Sequence, residues 1–486
     1  MKDEKIKIGG RAFLLSAAII LVLMIVSGIL TRLLPAGSYD RVVSEGRTLV
    51  LNGSYREIPR PAYAVWRWFT APVELLFGPE NLTPIILIIF IAIVGGAITI
   101  LEHIGVIEAL VNFLVARFSG KKYLIITVMI VFFMGASSFV GMYEEFVPLV
   151  IFIIPIAISL GWDSLTGLGM SLLPLAFGFA SAVTNPFTIA VAQKIAGLPL
   201  FSGAYLRLIF FLVIFCVVNF FVIRHAKRIE RDPKLSLSFT EDEALRQKLL
   251  KSGAAGQGAG KKDITKGQWR ALIWFASCIA FAMLFVISTA RITFLADLAF
   301  PLLSLMFLAG GLGAGIFAGL GAPLLGKTFA RGILNILPGI LLILMAYSVK
   351  HIILTGMIMD TILYRAAEQI RQSPPMAAAF LVYATTLVMN FFIGSASAKA
   401  FLMMPLLTPL ADLVGITRQT AVLAFDFGDG FSNMIFPTNA LLLIALSFSV
   451  VSYTKWMRWT WKLQIAILVI TSVFLAIAVK IGFGPF

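Results

Sequence analysis

Cysteine is almost missing from the 486 residues: there are two, Cys216 and Cys278, each inside an apolar run and neither in a CxxC pair. That excludes a disulfide framework and a thiolate metal site, and leaves both as lipid-facing or core filler. Histidine is nearly as scarce. His103 and His351 stand near the ends of apolar runs and His225 in a basic cluster, so interfacial placement is expected of all three rather than a proton relay. Charged residues make up 13% of the chain, against about a quarter in soluble domains. The sequence holds no HExxH, no GxSxG with partners and no acidic cluster arranged for a metal, so enzyme chemistry has nothing to rest on. One phosphate-loop match occurs, "GAPLLGKT" from Gly321 to Thr328, but it joins two apolar runs where such a loop needs a strand before it and a helix after. Lys327 and Arg331 there mark a membrane edge.

What the chain has instead is hydrophobic residues at 59% and a mean hydropathy of +0.96. An all-α polytopic membrane protein follows, with the lipid bilayer as its principal surroundings. The net charge of +15 comes from basic residues at the ends of apolar segments, where the positive-inside effect places them, so nucleic acid is not an expected partner. "MKDEKIKIGGR" precedes the first apolar run with no small-residue cleavage site, which predicts a retained helix with a cytoplasmic N-terminus.

Clear spans are predicted near 12–33, 82–104, 203–224, 269–290, 294–319, 330–352 and 460–481. The chain divides into an N-terminal helix with an extracytoplasmic segment (1–81), a first repeat (82–224), a cytoplasmic linker (225–268), joining helices (269–329) and a second repeat with a C-terminal helix (330–486). The linker's "KSGAAGQGAGKKDITKGQWR" reads as flexible. "PAYAVWRWFTAPVELLF" reads as an interfacial amphipathic helix with Trp66 and Trp68 at headgroup level.

The repeats carry the functional reading. An apolar span, the amphipathic "IEALVNFLVARFSG" and then "MGASS", "LGWDSLTG" and "GFASAVTNP" are answered in the second repeat by a span, "GMIMDTILYRAAEQIRQSPP", "IGSAS", "VGITRQTA" and "GFSNMIFPT". The apolar arms beside "MGASS" (123–134 and 146–161) and "IGSAS" (377–393 and 401–415) are short for a crossing. Two re-entrant hairpins and about nine transmembrane helices result, in two repeats of opposite orientation. Irregular backbone at membrane depth survives only where protein buries it or a watery cavity meets it. In "ASAVTNPF", Pro186 lacks an amide proton and disfavours helix at Asn185, so a break is predicted there.

Freed carbonyls with Ser181, Thr184 and Asn185, and again Ser432, Asn433, Thr438 and Asn439, are hard oxygen donors suited to a sodium ion, while freed helix N-termini suit an anionic group. Sodium or a proton is the expected coupling ion, and no other cofactor is expected. Intramembrane charges are costly and functional by default: Glu144 and Glu145 after the first hairpin tip, Lys399 in the second, Asp426 and Asp429 in "FDFGDGFSN". Adjacent Glu144 and Glu145 point apart, so one is expected to bind and the other to serve a helix N-terminus. Asp426 and Asp429 share a helix face and need a cation between them: substrate, coupling ion or Lys399. A purely structural Lys399–Asp426 salt bridge is the competing reading.

"MYEEFVPL", "FASAVTNPFTIAVAQKIAGLPLFSG" and "PLLTPLADLVGITRQTAVLAFDFGDGFSNMIFPTN" resemble the YfcC-like branch of the anaerobic four-carbon dicarboxylate carriers, in the ion transporter superfamily, over nearly the whole chain. The resemblance implies a secondary transporter of the prokaryotic inner membrane, a homodimer with an elevator-like movement, for carboxylates or for basic amino acids including arginine/ornithine exchange. It places sodium motifs on Ser137, Ser138, Thr184, Asn185, Ser395, Ser397 and Thr438. Two positions depart from the family pattern: Asp426, where Gln is usual, and Lys399, where a small uncharged residue is usual. The expected small-molecule substrate is an amino acid, more readily cationic because intramembrane acids outnumber bases, with a carboxylate as the alternative.

Overall fold

The computed structural model describes residues 10–44, 47–78, 81–110, 113, 119–251, 265–289 and 299–485. Among them ten helices are long and apolar enough to cross a membrane, and Pro301–Phe317 is a shorter apolar one. This is an all-α polytopic architecture. α1 (Gly10–Leu33) leads to two small antiparallel pairs, β1 (Gly37–Ser38) with β4 (Arg56–Glu57) and β2 (Arg41–Ser44) with β3 (Arg47–Val50). α2 (Arg67–Glu74) and α3 (Leu82–His103) follow. Next come α4 (Lys122–Gly135), α5 (Val150–Ser159), the interrupted segment α6 (Ser164–Gly169), α7 (Leu172–Ser181) and α8 (Ile189–Ile195), then α9 (Ala204–Arg231) and α10 (Phe239–Lys251). The second part has α11 (Lys266–Thr289), α12 (Ala299–Phe317), α13 (Ala322–Thr355), α14 (Met359–Arg371), α15 (Pro375–Phe392), α16 (Ala396–Val414), a second interrupted segment α17 (Arg418–Gly430) and α18 (Ala440–Ser447), and α19 (Tyr453–Lys480).

The described parts of the predicted spans are helical, and several helices outrun them: α9 continues to Arg231, α13 starts at Ala322 and α19 at Tyr453. Residues 290–298, 111–112 and 114–118 of the first amphipathic segment, 252–264 of the linker and the N-terminal 1–9 lie outside the described residues. Gly321 caps α13, so "GAPLLGKT" forms the first turns of a long helix with another helix before it. Of the two tryptophans expected at the headgroups, Trp66 is exposed but Trp68 is buried. A Cβ on Gly28 would lie 2.2 Å from the Trp68 indole: the small residue on α1 opens a slot that takes the ring out of the interface. Cys216 is exposed and Cys278 buried.

α3 and α13 approach closely because glycines face each other. A Cβ on Gly332 would sit 2.4 Å from Gly95 O and 2.6 Å from Gly96 Cα, and one on Gly311 of α12 would sit 2.5 Å from Ala97 Cβ. Small residues let backbones pack in lipid, where van der Waals contact replaces hydrophobic drive.

Two ends of the molecule are defined by polar contacts. At one, Arg41 pairs with Asp360 at 2.8 Å and Tyr55 stacks on Tyr364; Arg418 donates to Ala196 O and Thr417 to Phe483 O there. At the other, Lys122 pairs with Glu230 and Lys455 with Glu241. α6–α8 therefore runs from the second end to the first, and α17–α18 runs the opposite way.

The part of the cytoplasmic connection before its Gly/Ala/Lys-rich stretch is docked on the helices, and the stretch expected to be flexible lies mostly outside the described residues. Asp163 caps α6 through Thr166 N at 2.8 Å and also takes bonds from Ser236 at 2.7 Å and His225 at 3.0 Å. Asp242 of α10 accepts from Ser164 N at 3.1 Å and from Ser238 at 2.6 Å. A buried capping carboxylate needs donors on every oxygen, and the linker supplies them. Burial opposes the charge on Asp163, yet His225 and the hydroxyls of Thr166 and Ser236 hold its carboxyl below the usual range. Burial pushes Asp242 up to about 6, against its serine bonds and with Asp163 adding to the rise. Glu243, Arg246 (bonded to Trp162 O) and the Glu241–Lys455 pair complete the charges around it.

A carboxyl with a raised docked-state pKa favours docking while protonated, so docking of α10 should weaken as pH climbs from its ordinary 3.8 through about 6 and stay level above. Hydrogen exchange of residues 239–247, corrected for intrinsic rate, is expected to show that slope, and Asp242→Asn to flatten it. A slope unchanged in the variant would assign the dependence elsewhere.

Candidate functional site: two helix breaks and the turns bonded to them

α4 rises from the Lys122 end and α5 returns to it, bringing the Trp162 ring to 6.1 Å from Tyr123. Between them lie a π turn at Ala136–Val140, Gly141, and a 3-10 turn at Glu144–Leu149. Gly141 has φ +80°, and a Cβ there would fall 2.5 Å from Asn185 Oδ1, so glycine is required on both counts. This turn is stitched to the first break. Ser138 Oγ accepts from Val183 N at 3.1 Å, Ser138 O accepts from Thr184 N at 3.2 Å, and Thr184 Oγ1 donates to Phe139 O at 2.9 Å. Asn185 Nδ2 donates to Ser137 O, while its Oδ1 accepts from Phe187 N at 2.8 Å and Thr188 N at 3.3 Å and so opens α8. α7 stops at Ser181, with Ala182 at φ +31°. Ser137 and Ser181 spend their hydroxyl protons on Leu175 O and Phe177 O.

The second half repeats the construction. α15 and α16 fold back on each other, and a Cβ on Gly415 would lie 3.9 Å from Pro375. Thr438 Oγ1 donates to Phe391 O at 2.6 Å, and Asn439 Oδ1 accepts from Leu442 N at 3.1 Å to open α18. A Thr–Asn pair thus does the same two jobs in each break: threonine bonds the turn, asparagine starts the next half-helix. Asn390 links Asp429 O, Ser432 Oγ and Asn433 Oδ1 at 2.6–2.9 Å, and Asn433 also accepts from Asn439 Nδ2. Ser432 donates to Gly428 O. Ser395 is exposed and caps α16 through Ala398 N at 3.5 Å, and Ser397 is half-buried.

The two segments cross where a Cβ on Gly430 would lie 2.2 Å from Ala180 Cβ, with the Phe177 and Phe431 rings 5.5 Å apart. Around the crossing the buried charges gather. Lys399, fully buried, pairs with Asp429 and donates to Asn390 Oδ1. The competing reading of a Lys399–Asp426 bridge gives way to Lys399–Asp429: the i, i+3 carboxylates face different partners. Asp426 faces Arg207 and the Thr188 hydroxyl without a full hydrogen bond to either. Glu144 lies within electrostatic reach of Asp429 and Tyr347, and Glu145 turns back to accept from Tyr143 N at 3.1 Å. The Tyr143 hydroxyl is buried with no hydrogen-bond partner.

Arg207 was not among the residues singled out from the sequence. It stands a few residues inside "GAYLRLIFF", where a single base reads as a span end. Fully buried on α9, it donates from Nε to Ala182 O at 3.0 Å, from Nη2 to Val183 O at 3.1 Å and from Nη1 to Ser202 O at 2.9 Å. Asn390 and Thr188 were passed over for a similar reason, since one polar residue in an apolar helix is commonplace.

As hard-oxygen donors, the turn carbonyls of Ser137, Ser138 and Phe139 suit sodium chemically, but each already accepts a hydrogen bond. Polar groups buried at interrupted, opposed membrane helices are the mark of a carrier. A multi-pass membrane carrier is the class that this fold and site define.

The chain belongs to the family described as the C4-dicarboxylate anaerobic carrier, whose model matches residues 13–480. It is 31% identical over 391 residues to the Escherichia coli (strain K12) protein named "Putative basic amino acid antiporter YfcC", covering 79% of this chain and 75% of that one. An uncharacterized Haemophilus influenzae (strain ATCC 51907 / DSM 11121 / KW20 / Rd) protein is 25% identical over 393 residues, covering 81% and 75%. Two solved transporters align more distantly. Alcanivorax borkumensis YdaH has a TM-score of 0.41 at 16% identity, over 98% of this chain and 100% of that one. Neisseria gonorrhoeae MtrF has 0.41 at 18%, over 97% and 95%.

Proposed function

We propose that the chain is a secondary active transporter for an amino acid, basic such as arginine or ornithine, working as an exchanger or ion-coupled symporter by elevator-like alternating access. On this reading α4–α5 and α15–α16 are re-entrant hairpins, the halves 82–224 and 330–486 are inverted repeats, and the breaks hold the substrate. The protein then sits as a homodimer in the prokaryotic inner membrane with its N-terminus cytoplasmic.

The observation that carries the charge preference is the imbalance near the crossing: among the described residues there, four carboxylates, Glu144, Glu145, Asp426 and Asp429, stand against two bases, with Arg207 facing Asp426 and Lys399 paired with Asp429. A buried surplus of carboxylates favours a cation entering with its own charge. The unbonded oxygens of Asp426 and the Tyr143 hydroxyl are natural partners for an amino group and a carboxylate. The name of the Escherichia coli relative agrees.

A four-carbon dicarboxylate is the second reading, favoured by the family description and by Lys399 and Arg207 as anion partners. Proteoliposomes preloaded with arginine, ornithine or succinate and supplied with labelled arginine decide between them, with and without a sodium gradient. Acceleration by internal ornithine and none by succinate is the expected result; the reverse pattern would transfer the site to dicarboxylates.

A further inference from the structure

Each half-helix that ends at a break meets a basic side chain from a different helix. α7 stops at Ser181, and the Arg207 guanidinium from α9 takes the next two carbonyls, Ala182 O and Val183 O. α17 stops at Gly430, and the Lys399 ammonium from α16 takes Asp429 and Asn390 Oδ1 beside it. Each base has an aspartate of α17 for its countercharge, Asp426 for Arg207 and Asp429 for Lys399. A helix C-terminus carries a negative partial charge and orphan carbonyls, and with a carboxylate beside it in a dry interior it needs a positive charge. Those are the conditions under which interrupted membrane helices hold a free cation.

We propose that Arg207 and Lys399 are tethered cations: they fill the two cation positions of the breaks permanently, so that the resting protein takes no sodium there. Each position is then satisfied by a group that cannot leave. A carrier built this way keeps its charge balance at the breaks without drawing an ion from solution, which suits exchange of one substrate for another. The inference takes its meaning from the carrier reading above, but its test uses no substrate, so failure of arginine exchange and failure of this proposal are separate results.

Thermal unfolding of the purified full chain in detergent is compared in sodium chloride and choline chloride at equal ionic strength. Wild type is expected to show no saturable sodium shift. Lys399→Met, which leaves the Asp429 carboxylate and Asn390 oxygen without their cation, is expected to gain a saturable sodium-dependent rise of several degrees. Adding Asp429→Asn to it should remove that rise. Lys399→Gln, which keeps a polar group in reach of Asn390, runs as a parallel variant with the same expectation. A saturable sodium shift in wild type overturns the proposal, as does a sodium response in either Lys399 variant no larger than in the double variant.

Discussion

An Asp429→Asn protein is expected to lose transport outright and to lose stability as well. The Lys399 ammonium is fully buried and ion-paired to Asp429, with Asn390 Oδ1 as its other partner. Breaking a buried pair by removing one partner costs about 3–5 kcal/mol, because the remaining charge has no water to return to. Neutralising Asp429 therefore reaches the fold as well as the site, because it leaves the Lys399 ammonium without its countercharge. Melting in detergent should fall in Asp429→Asn and recover in Asp429→Asn with Lys399→Met, where both charges leave together. Uptake should recover in neither. If the single variant melts like wild type, the pair contributes little and Asp429 acts as a free carboxylate.

The second large effect is expected at the crossing of the interrupted segments. A Cβ at position 430 would fall 2.2 Å from Ala180 Cβ, 2.3 Å from its Cα and 2.7 Å from its N. These are mostly backbone atoms, which cannot rotate aside. Overpacking costs typically about 1–3 kcal/mol even when flexible neighbours relieve it. Gly430→Val should exceed that range, separate α7 from α17 and abolish transport, with a drop in the yield of monodisperse protein. The matched change Gly326→Val, where nothing stands within 4 Å, should leave yield intact. Equal yields from the two variants would mean that the segments have room to part.

How much of this was legible in the sequence follows from what each signal reports. Hydropathy over a span reports lipid, so the membrane helices could be read directly. Pro186 and the Thr–Asn pairs are backbone chemistry, and local chemistry acts wherever the chain lies, so both interruptions could also be read. The partners of buried charges are set by helices far apart in the chain. Lys399 lies thirty residues from Asp429 and twenty-seven from Asp426, and spacing cannot choose between them. Arg207 was invisible for the same reason: a base near the start of an apolar run has the same appearance whether it meets headgroups or reaches inward. The docked linker shows the converse. "RHAKRIERDPK" has the composition of a solvated segment, yet His225 and Ser236 are drawn in by Asp163, 62 and 73 positions earlier, whose need for donors no local pattern records.

The hydroxyls of Thr184 and Thr438 tie each fold-back to the interruption in its own half, through Phe139 O and Phe391 O. A turn that lifted alone would break the bond that joins it to its own half-helix. On the carrier reading proposed above, turn and half-helix are therefore expected to move together, and a disulfide clamped across either Thr-to-Phe junction should leave turnover running.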